Sequence, residues 1–307
     1  MASQPLPSAV ALPMRIGART VFTARRRLHR VGLSLGQVLE GHAPALPPLG
    51  PGTDGYLIRS LPAAALPALL ACHPHLRPFI RQRYARSYAS LQGGYDAYLV
   101  RFSGKTRSTL KRKLRRFAER SGGTLDLRSY RSPGEAAEFH RHARSVSERT
   151  YQERLLNAGM PAGDSALAEI RSLAARDSMR GWILFLDGGP VSYLYAPADG
   201  DTLVYAYLGY DPAVADLSPG TVLQLEAMRE LMEEGRFAWF DFTEGEGQHK
   251  RLFGTGAADC MDLLLLRPTL PNLLTGHALN GFDSAVALAK RTVRRLNLEG
   301  LARRIRR

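Results

Sequence analysis

Between Phe237 and Lys250 the sequence gathers Asp241, Glu244, Glu246, His249 and Lys250 around Gly245 and Gly247, acids, an imidazole and an ammonium within ten residues. The run Phe237–Phe242 alternates, so that Phe237, Trp239 and Asp241 share one face and Ala238, Phe240 and Phe242 the other. An aspartate closing an otherwise apolar face is costly unless it is paired or used. The groups after it offer proton acceptors, proton donors and a cation within a few residues. The plainer alternative is a solvated turn carrying a Glu/Lys surface pair.

A second candidate is the passage Leu217-Ser218-Pro219-Gly220-Thr221, which enters a helix soon after a strand ending in Gly209-Tyr210. A helix N-terminus presents unpaired N–H groups and the positive end of the macrodipole, and a glycine there lets a phosphate approach the backbone. An N-cap followed by proline at the first helical position explains the same residues without a ligand. The segment Ser103-Gly104-Lys105-Thr106 imitates the end of a P-loop, but the required earlier glycine is replaced by Leu99, which excludes a phosphate-wrapping loop. His140 and His142, like His73 and His75, are two residues apart, which does not suit a pair of ligands on one helix face. Cys72 and Cys260 form no metal-spaced motif and no disulfide framework. No metal is expected, and the compartment is expected to be reducing.

These residues need elements to hold them. The hydrophobic pattern predicts strands at Tyr56–Arg59 and Tyr95–Phe102, with a helix at Ala63–Cys72. A basic helix follows from Lys105 or Ser108 to Arg120, with Leu110, Leu114 and Phe117 as its buried stripe. A strand over Thr124–Tyr130 precedes a helix opened by Ser132-Pro133-Gly134-Glu135, and another helix spans Ser165–Arg176. Two apolar runs around Asp187-Gly188-Gly189-Pro190 read as a hairpin, and Thr202–Tyr210 as a third strand. After a loop come a helix over Thr221–Glu234, the strand Phe237–Phe242, a short helix Gln248–Phe253 and a strand Met261–Arg267. Antiparallel strands followed by a crossover helix predict an α+β fold with a mixed, mostly antiparallel sheet.

The chain has 307 residues, ample for a sizeable core. The formal charge is +14, and the stretches Lys105–Arg120 and Lys290–Arg307, each with eight basic residues and one glutamate, account for all of the excess. Two local basic elements are therefore indicated rather than a nucleic-acid-coating surface, and they suit an anionic substrate, a cofactor phosphate or an anionic membrane surface. Phe282, Val286, Ala289, Val293, Leu296 and Ile305 give the C-terminal one a loose apolar stripe. No apolar run is long enough to span a membrane. The N-terminal stretch is arginine-rich without an acid before Glu40, but Val21–Val31 reads equally as a strand or short helix, and no secretory signal is recognisable. A cytoplasmic protein is the expectation. Gly41–Gly55 is a turn-rich connector, and little order is expected before it.

The stretch Arg107–Arg267 resembles the GNAT-like acyltransferases of the CelD (cellulose or exopolysaccharide biosynthesis) group, relatives of the FemAB transferases. The resemblance is carried by the basic opening Arg107–Arg116, by Tyr210-Asp211-Pro212 with Leu217-Ser218-Pro219-Gly220, and by Phe240-Asp241-Phe242-Thr243-Glu244-Gly245 leading to Lys250-Arg251-Leu252-Phe253-Gly254. His249 stands where the family often has another aromatic residue. The resemblance implies a GNAT-like acyl-CoA N-acyltransferase fold and transfer from acetyl-CoA or another acyl-CoA, without a metal, to a small-molecule, sugar-linked or lipid-linked acceptor of cell-envelope or exopolysaccharide metabolism. It places the co-substrate in a V between the strand ending at Tyr210 and the strand Phe237–Phe242. The pantetheine arm would lie near Leu208 and Gly209, and the pyrophosphate on Ser218, Pro219, Gly220 and Thr221. Asp241 and Glu246 become the candidate bases, Lys250 the holder of an anionic acceptor or oxyanion, and Tyr207 or Tyr210 the donor to the departing thiolate. Aminoacyl-tRNA-dependent transfer and a non-catalytic basic binding module on the same fold remain alternatives. The implied division is residues 1–100 as an accessory or degenerate half-domain, 101–268 as the transferase domain and 269–307 as a basic amphipathic tail.

Overall fold

The computed structural model describes residues 6–16, 19–150, 159–245 and 247–295. The chain divides into a first unit, Met1–Ala85 with Ala258–Arg307, and a second, Arg86–Ala257. These boundaries differ from the 100 and 268 of the sequence reading. Residues 86–100 supply a strand end and a helix to the second unit, and the last strand belongs almost wholly to the first.

The first unit opens with β1 (Ser8–Ile16) and β2 (Arg19–Gly32), an antiparallel pair in a region where little order was expected. Helix α1 (Leu35–Glu40) follows, and its capping box, Ser34 with Gln37, closes the free amides of its first turn. Then come β3 (Gly55–Pro62), α2 (Leu66–Cys72) and β4 (Arg77–Ser90), whose last five residues pass into the second unit.

The second unit continues with α3 (Gly94–Val100) and α4 (Gly104–Arg120), then β5 (Asp126–Tyr130), α5 (Ala136–Ser147) and α6 (Asp164–Ala175). The antiparallel strands β6 (Met179–Leu186) and β7 (Gly189–Asp199) are succeeded by β8 (Thr202–Val204) and β9 (Tyr207–Tyr210). After a 3-10 segment, Pro212–Leu217, come α7 (Pro219–Glu234), β10 (Trp239–Asp241) and α8 (Gln248–Phe253). The chain returns to the first unit through β11 (Gly256–Leu266) and α9 (Leu270–Arg295), beyond which the basic C-terminal residues, Leu296 and Ile305 included, lie outside the described residues.

In the second unit the strand order is β4-β10-β8-β7-β6-β5, with β9 attached to β7. The sheet is mixed and mostly antiparallel, with β10 parallel to β8, the arrangement expected from the sequence. Every residue of β6 is buried, because Trp182 and Leu184 pack into the core shared with α3, α4 and α7, while Ile183 and Phe185 pack into the core of α5 and α6. In the first unit the order is β1-β2-β3-β11-β4, with β2 parallel to β3. Ile58, Leu263 and Leu265 face one core of that unit, and Leu57, Leu264 and Leu266 face another. No helix among the described residues is long and apolar enough to cross a membrane.

Two differences from the sequence reading bear on function. Tyr95–Phe102, expected as a strand, contributes α3 instead: Tyr95, Tyr98, Leu99 and Phe102 recur at helical spacing, and all four join one core. Thr202–Tyr210, expected as one strand, breaks at Tyr205 and Ala206 into β8 and β9.

Candidate functional site

The break between β8 and β9 opens the sheet. Residues 202–204 pair with β10, and the Tyr205 amide donates to the Asp241 carbonyl at 2.8 Å, but β9 pairs with β7 alone. Beyond Asp241 the chain turns away at Thr243, whose φ is +61°. A cleft of about 630 Å³ lies in the second unit, walled by β9, the start of α7 and α8. That volume suits a cofactor-sized ligand.

Leu208, Gly209, Tyr210, Ser218, Pro219, Gly220 and Thr221, all singled out in the sequence, line this cleft. Helix α7 begins with Ser218 in the left-handed conformation and Pro219 in its first turn, and no side chain caps it. The Ser218 carbonyl accepts from the Thr221 and Val222 amides, while Pro219 has no N–H to offer. A Cβ on Gly220 would stand 3.2 Å from the Leu208 Cδ2 and 3.3 Å from the Tyr210 Cδ1, so this position has room for backbone and little more. Gly209 is constrained by packing, since a Cβ there would lie 2.5 Å from the Tyr193 ring and 2.8 Å from the Thr150 methyl.

The cleft also contains polar groups that the sequence did not assign to it. Lys113 projects from α4 to within 3.5 Å of the Thr221 Oγ1. Its ammonium thus stands at the positive end of α7, and two like charges converge with no carboxylate shown between them among the described residues. Gln224 lies one turn beyond Gly220 on the same face of α7; it is 1% exposed, and its Nε2 has no hydrogen-bond partner. A buried amide donor without an acceptor is expensive, and a ligand acceptor relieves it. The traces in the sequence were a polar residue within the apolar stripe Val222, Leu225 and Met228, and a lysine beside Leu114.

His249 enters from α8. Its ring stacks on Tyr205 with centroids 5.2 Å apart and planes 21° apart, and its Nε2 is buried without a partner. A Cβ on Gly247 would lie 2.8 Å from the ring, so glycine there is what admits it. Burial, reinforced by the Lys250 charge, lowers the imidazole pKa below its ordinary value, which favours the neutral ring. Burial also raises the pKa of the Tyr205 hydroxyl.

Two of the expected catalytic groups stand elsewhere. Asp241 is fully buried and held by Arg86, whose Nε and Nη2 donate to its Oδ2 at 3.1 and 2.5 Å, while the Thr243 amide donates to Oδ1 at 2.8 Å. It does not line the cleft, and the apolar face it closes is satisfied by an ion pair. Lys250 is 9% exposed; its Nζ donates to the carbonyls of Glu244 and Thr243, the latter at 3.4 Å, which fastens the turn ahead of α8. Burial lowers its pKa, opposed by Asp241 and Glu244, and it is absent from the cleft wall. Glu246 lies outside the described residues. Tyr210 is in place, 43% exposed, whereas Tyr207 stacks on Tyr195 and is not part of the wall. Among the described residues no group of three His, Cys, Asp or Glu is placed to hold a metal.

Residues 104–251 match the family model of the acetyltransferase (GNAT) domain. Among solved structures the chain is similar to FemX, at 10% identity over 87% of this chain and 89% of that one, with a TM-score of 0.53. It is also similar to the C-terminal domain of a putative lysylphosphatidylglycerol synthetase from Agrobacterium fabrum, at 14% identity over 76% of this chain and 73% of that one, with a TM-score of 0.51. At such identities these two likenesses speak for the fold alone. No curated protein matches the sequence. The fold is GNAT-like, and the family match over residues 104–251 makes the chain an acyltransferase.

Proposed function

We propose that this chain, with a GNAT acyltransferase domain over residues 104–251, moves an acyl group from acyl-CoA, acetyl-CoA foremost, to an amine of a cell-envelope or exopolysaccharide acceptor in the cytoplasm. The observation that carries the reading is the set of donors converging on the cleft: the start of α7, which no side chain caps, the Lys113 ammonium, whose acceptor is the neutral Thr221 hydroxyl at 3.5 Å, and the buried Gln224 amide, which has none. An anion at the first two removes their mutual repulsion, and the amide carbonyls of a pantetheine arm suit the third. The outer edge of β9, which carries no strand among the described residues, suits the arm as an added strand.

The bound thioester supplies an activated acyl group. The attacking amine has to shed a proton, and neutral His249 is the group in the cleft suited to take it, in place of Asp241. Tyr210, on the same wall, is the phenol suited to return a proton to the departing thiolate. Arg86 and Lys250 serve by fixing Asp241 and the turn that aims α8.

The test is calorimetric titration of the full chain with acetyl-CoA and with dephospho-CoA. Saturable heat is expected, abolished by Gly220→Glu and weakened about tenfold by Lys113→Gln through loss of a charge-assisted contact. No heat with either compound refutes the reading, and thioester-independent transfer that is sensitive to RNase would replace it with transfer from aminoacyl-tRNA.

A further inference from the structure

Among the described residues nine large apolar side chains stand exposed, and seven of them belong to the first unit. Three of those seven lie at the Ile16–Arg19 end of the β1–β2 hairpin: Ile16 is 58% exposed, Val21 62% and Phe22 59%. Ile16 pairs with Arg19 as the last rung of the ladder, and Met14 pairs with Phe22 two residues earlier, with a bulge between. At the other end of the same hairpin Val10, Leu12 and Leu28 are buried against Leu264, Leu266 and Leu279. The hairpin is therefore anchored at one end and bare at the other. From Leu12 to Ile16 the strand runs roughly 13 Å at the usual rise per residue. Three large side chains in water are an uncompensated cost, and an apolar cluster of this kind with a charged rim marks an interaction surface.

The rim names the partner. Arg15 and Arg19 flank the tip and Arg25 follows on β2; all three are exposed, the first acidic residue of the chain is Glu40, and no carboxylate is shown to pair with these three among the described residues. A second copy of this chain would set one cationic tip against another. A nucleic acid would satisfy the arginines but leave the aliphatic Ile16 and Val21 with nothing to stack on. An acidic lipid surface satisfies both sets, with phosphates for the guanidinium groups and an acyl boundary about 5–10 Å deep for the apolar tip. We infer that the end of the β1–β2 hairpin docks this protein on anionic membrane, with Ile16, Val21 and Phe22 entering the headgroup–acyl boundary and the flanking arginines pairing with lipid phosphates. The inference stands apart from the transferase reading, because it uses no residue of the cleft.

The experiment is co-sedimentation of the full chain with vesicles of phosphatidylcholine alone and of an equal mixture with phosphatidylglycerol. Binding is expected only to the acidic vesicles and is expected to fall with added salt. The triple variant Ile16→Ser, Val21→Ser, Phe22→Ser should bind them at least about tenfold more weakly, since its lost apolar area was to be buried in lipid. Its melting temperature should be unchanged, because the three side chains support no core. Phe22→Trp should shift its emission to the blue and be quenched by brominated acyl chains on the acidic vesicles only. Absence of binding, or equal binding by the triple variant, overturns the inference; the latter would move the contact to the basic helix α4 or the C-terminal residues. A dimer that the triple variant abolishes would assign the tip to a second copy. An RNA oligonucleotide that binds parent and triple variant alike and displaces the vesicles would assign the arginines to nucleic acid.

Discussion

Replacing Arg86 by methionine tests whether Asp241 holds the site together or takes part in the chemistry. Asp241 is fully buried, the Arg86 side chain is 10% exposed, and the carboxylate receives donors from Nε, from Nη2 and from the Thr243 amide. Removing the guanidinium leaves a buried carboxylate with one remaining donor, at a cost of about 3–5 kcal/mol. For a unit of this size that corresponds to a fall in melting temperature of about 6–20 °C. Adding Asp241→Leu removes the stranded charge and should recover most of the loss. A residue of about 1–3 kcal/mol should remain, because the Thr243 amide then lacks its acceptor. Urea unfolding followed by tryptophan fluorescence reads this directly, since the only two tryptophans, Trp182 and Trp239, both belong to the second unit. The reasoning is refuted if Arg86→Met costs less than about 1 kcal/mol, the range of a solvated pair. It is equally refuted if Asp241→Asn keeps its melting temperature and loses transfer, which would return Asp241 to the reaction.

Gly209→Ala should destabilise the second unit by about 1–3 kcal/mol through overpacking against Tyr193 and Thr150. Gly134→Ala, whose Cβ would meet nothing within 4 Å, should not, and the same unfolding assay compares them. The lowered pKa of His249 means that the unfolded chain binds its proton more readily than the folded one, so stability rises with pH between the folded value and the ordinary value. Below that window the penalty is complete, and above it the penalty is absent. His249→Gln should accordingly flatten the loss of stability between pH 7 and pH 5. An unchanged pH profile of the melting temperature would contradict the burial argument.

What could be read from the residues alone was local chemistry. The Pro-Gly entry into α7, the hairpin around Asp187-Gly188, the short helix Gln248–Phe253 and the buried stripe of α4 all follow from spacing and turn residues, and the structure has each of them. Ser218 to Thr221 were legible as a helix start for the same reason, whereas Leu208 and Gly209 were named only through the family resemblance. The spacing of Tyr95, Tyr98, Leu99 and Phe102 was open to two periods, and packing of that face into one core selected the helix. The break at Tyr205 had no local signal at all, because β8 and β9 are separated by which strands they find as neighbours. Burial was likewise decided by the fold. Asp241 looked free until a strand from more than a hundred residues earlier brought Arg86 to it, and Gln224 and Lys113 looked like ordinary helix residues until α4 and α7 brought them to one cleft. The sequence by itself determined which segments could present charge and backbone amides. The tertiary structure decided which charges meet, because pairing and desolvation depend on neighbours distant along the chain.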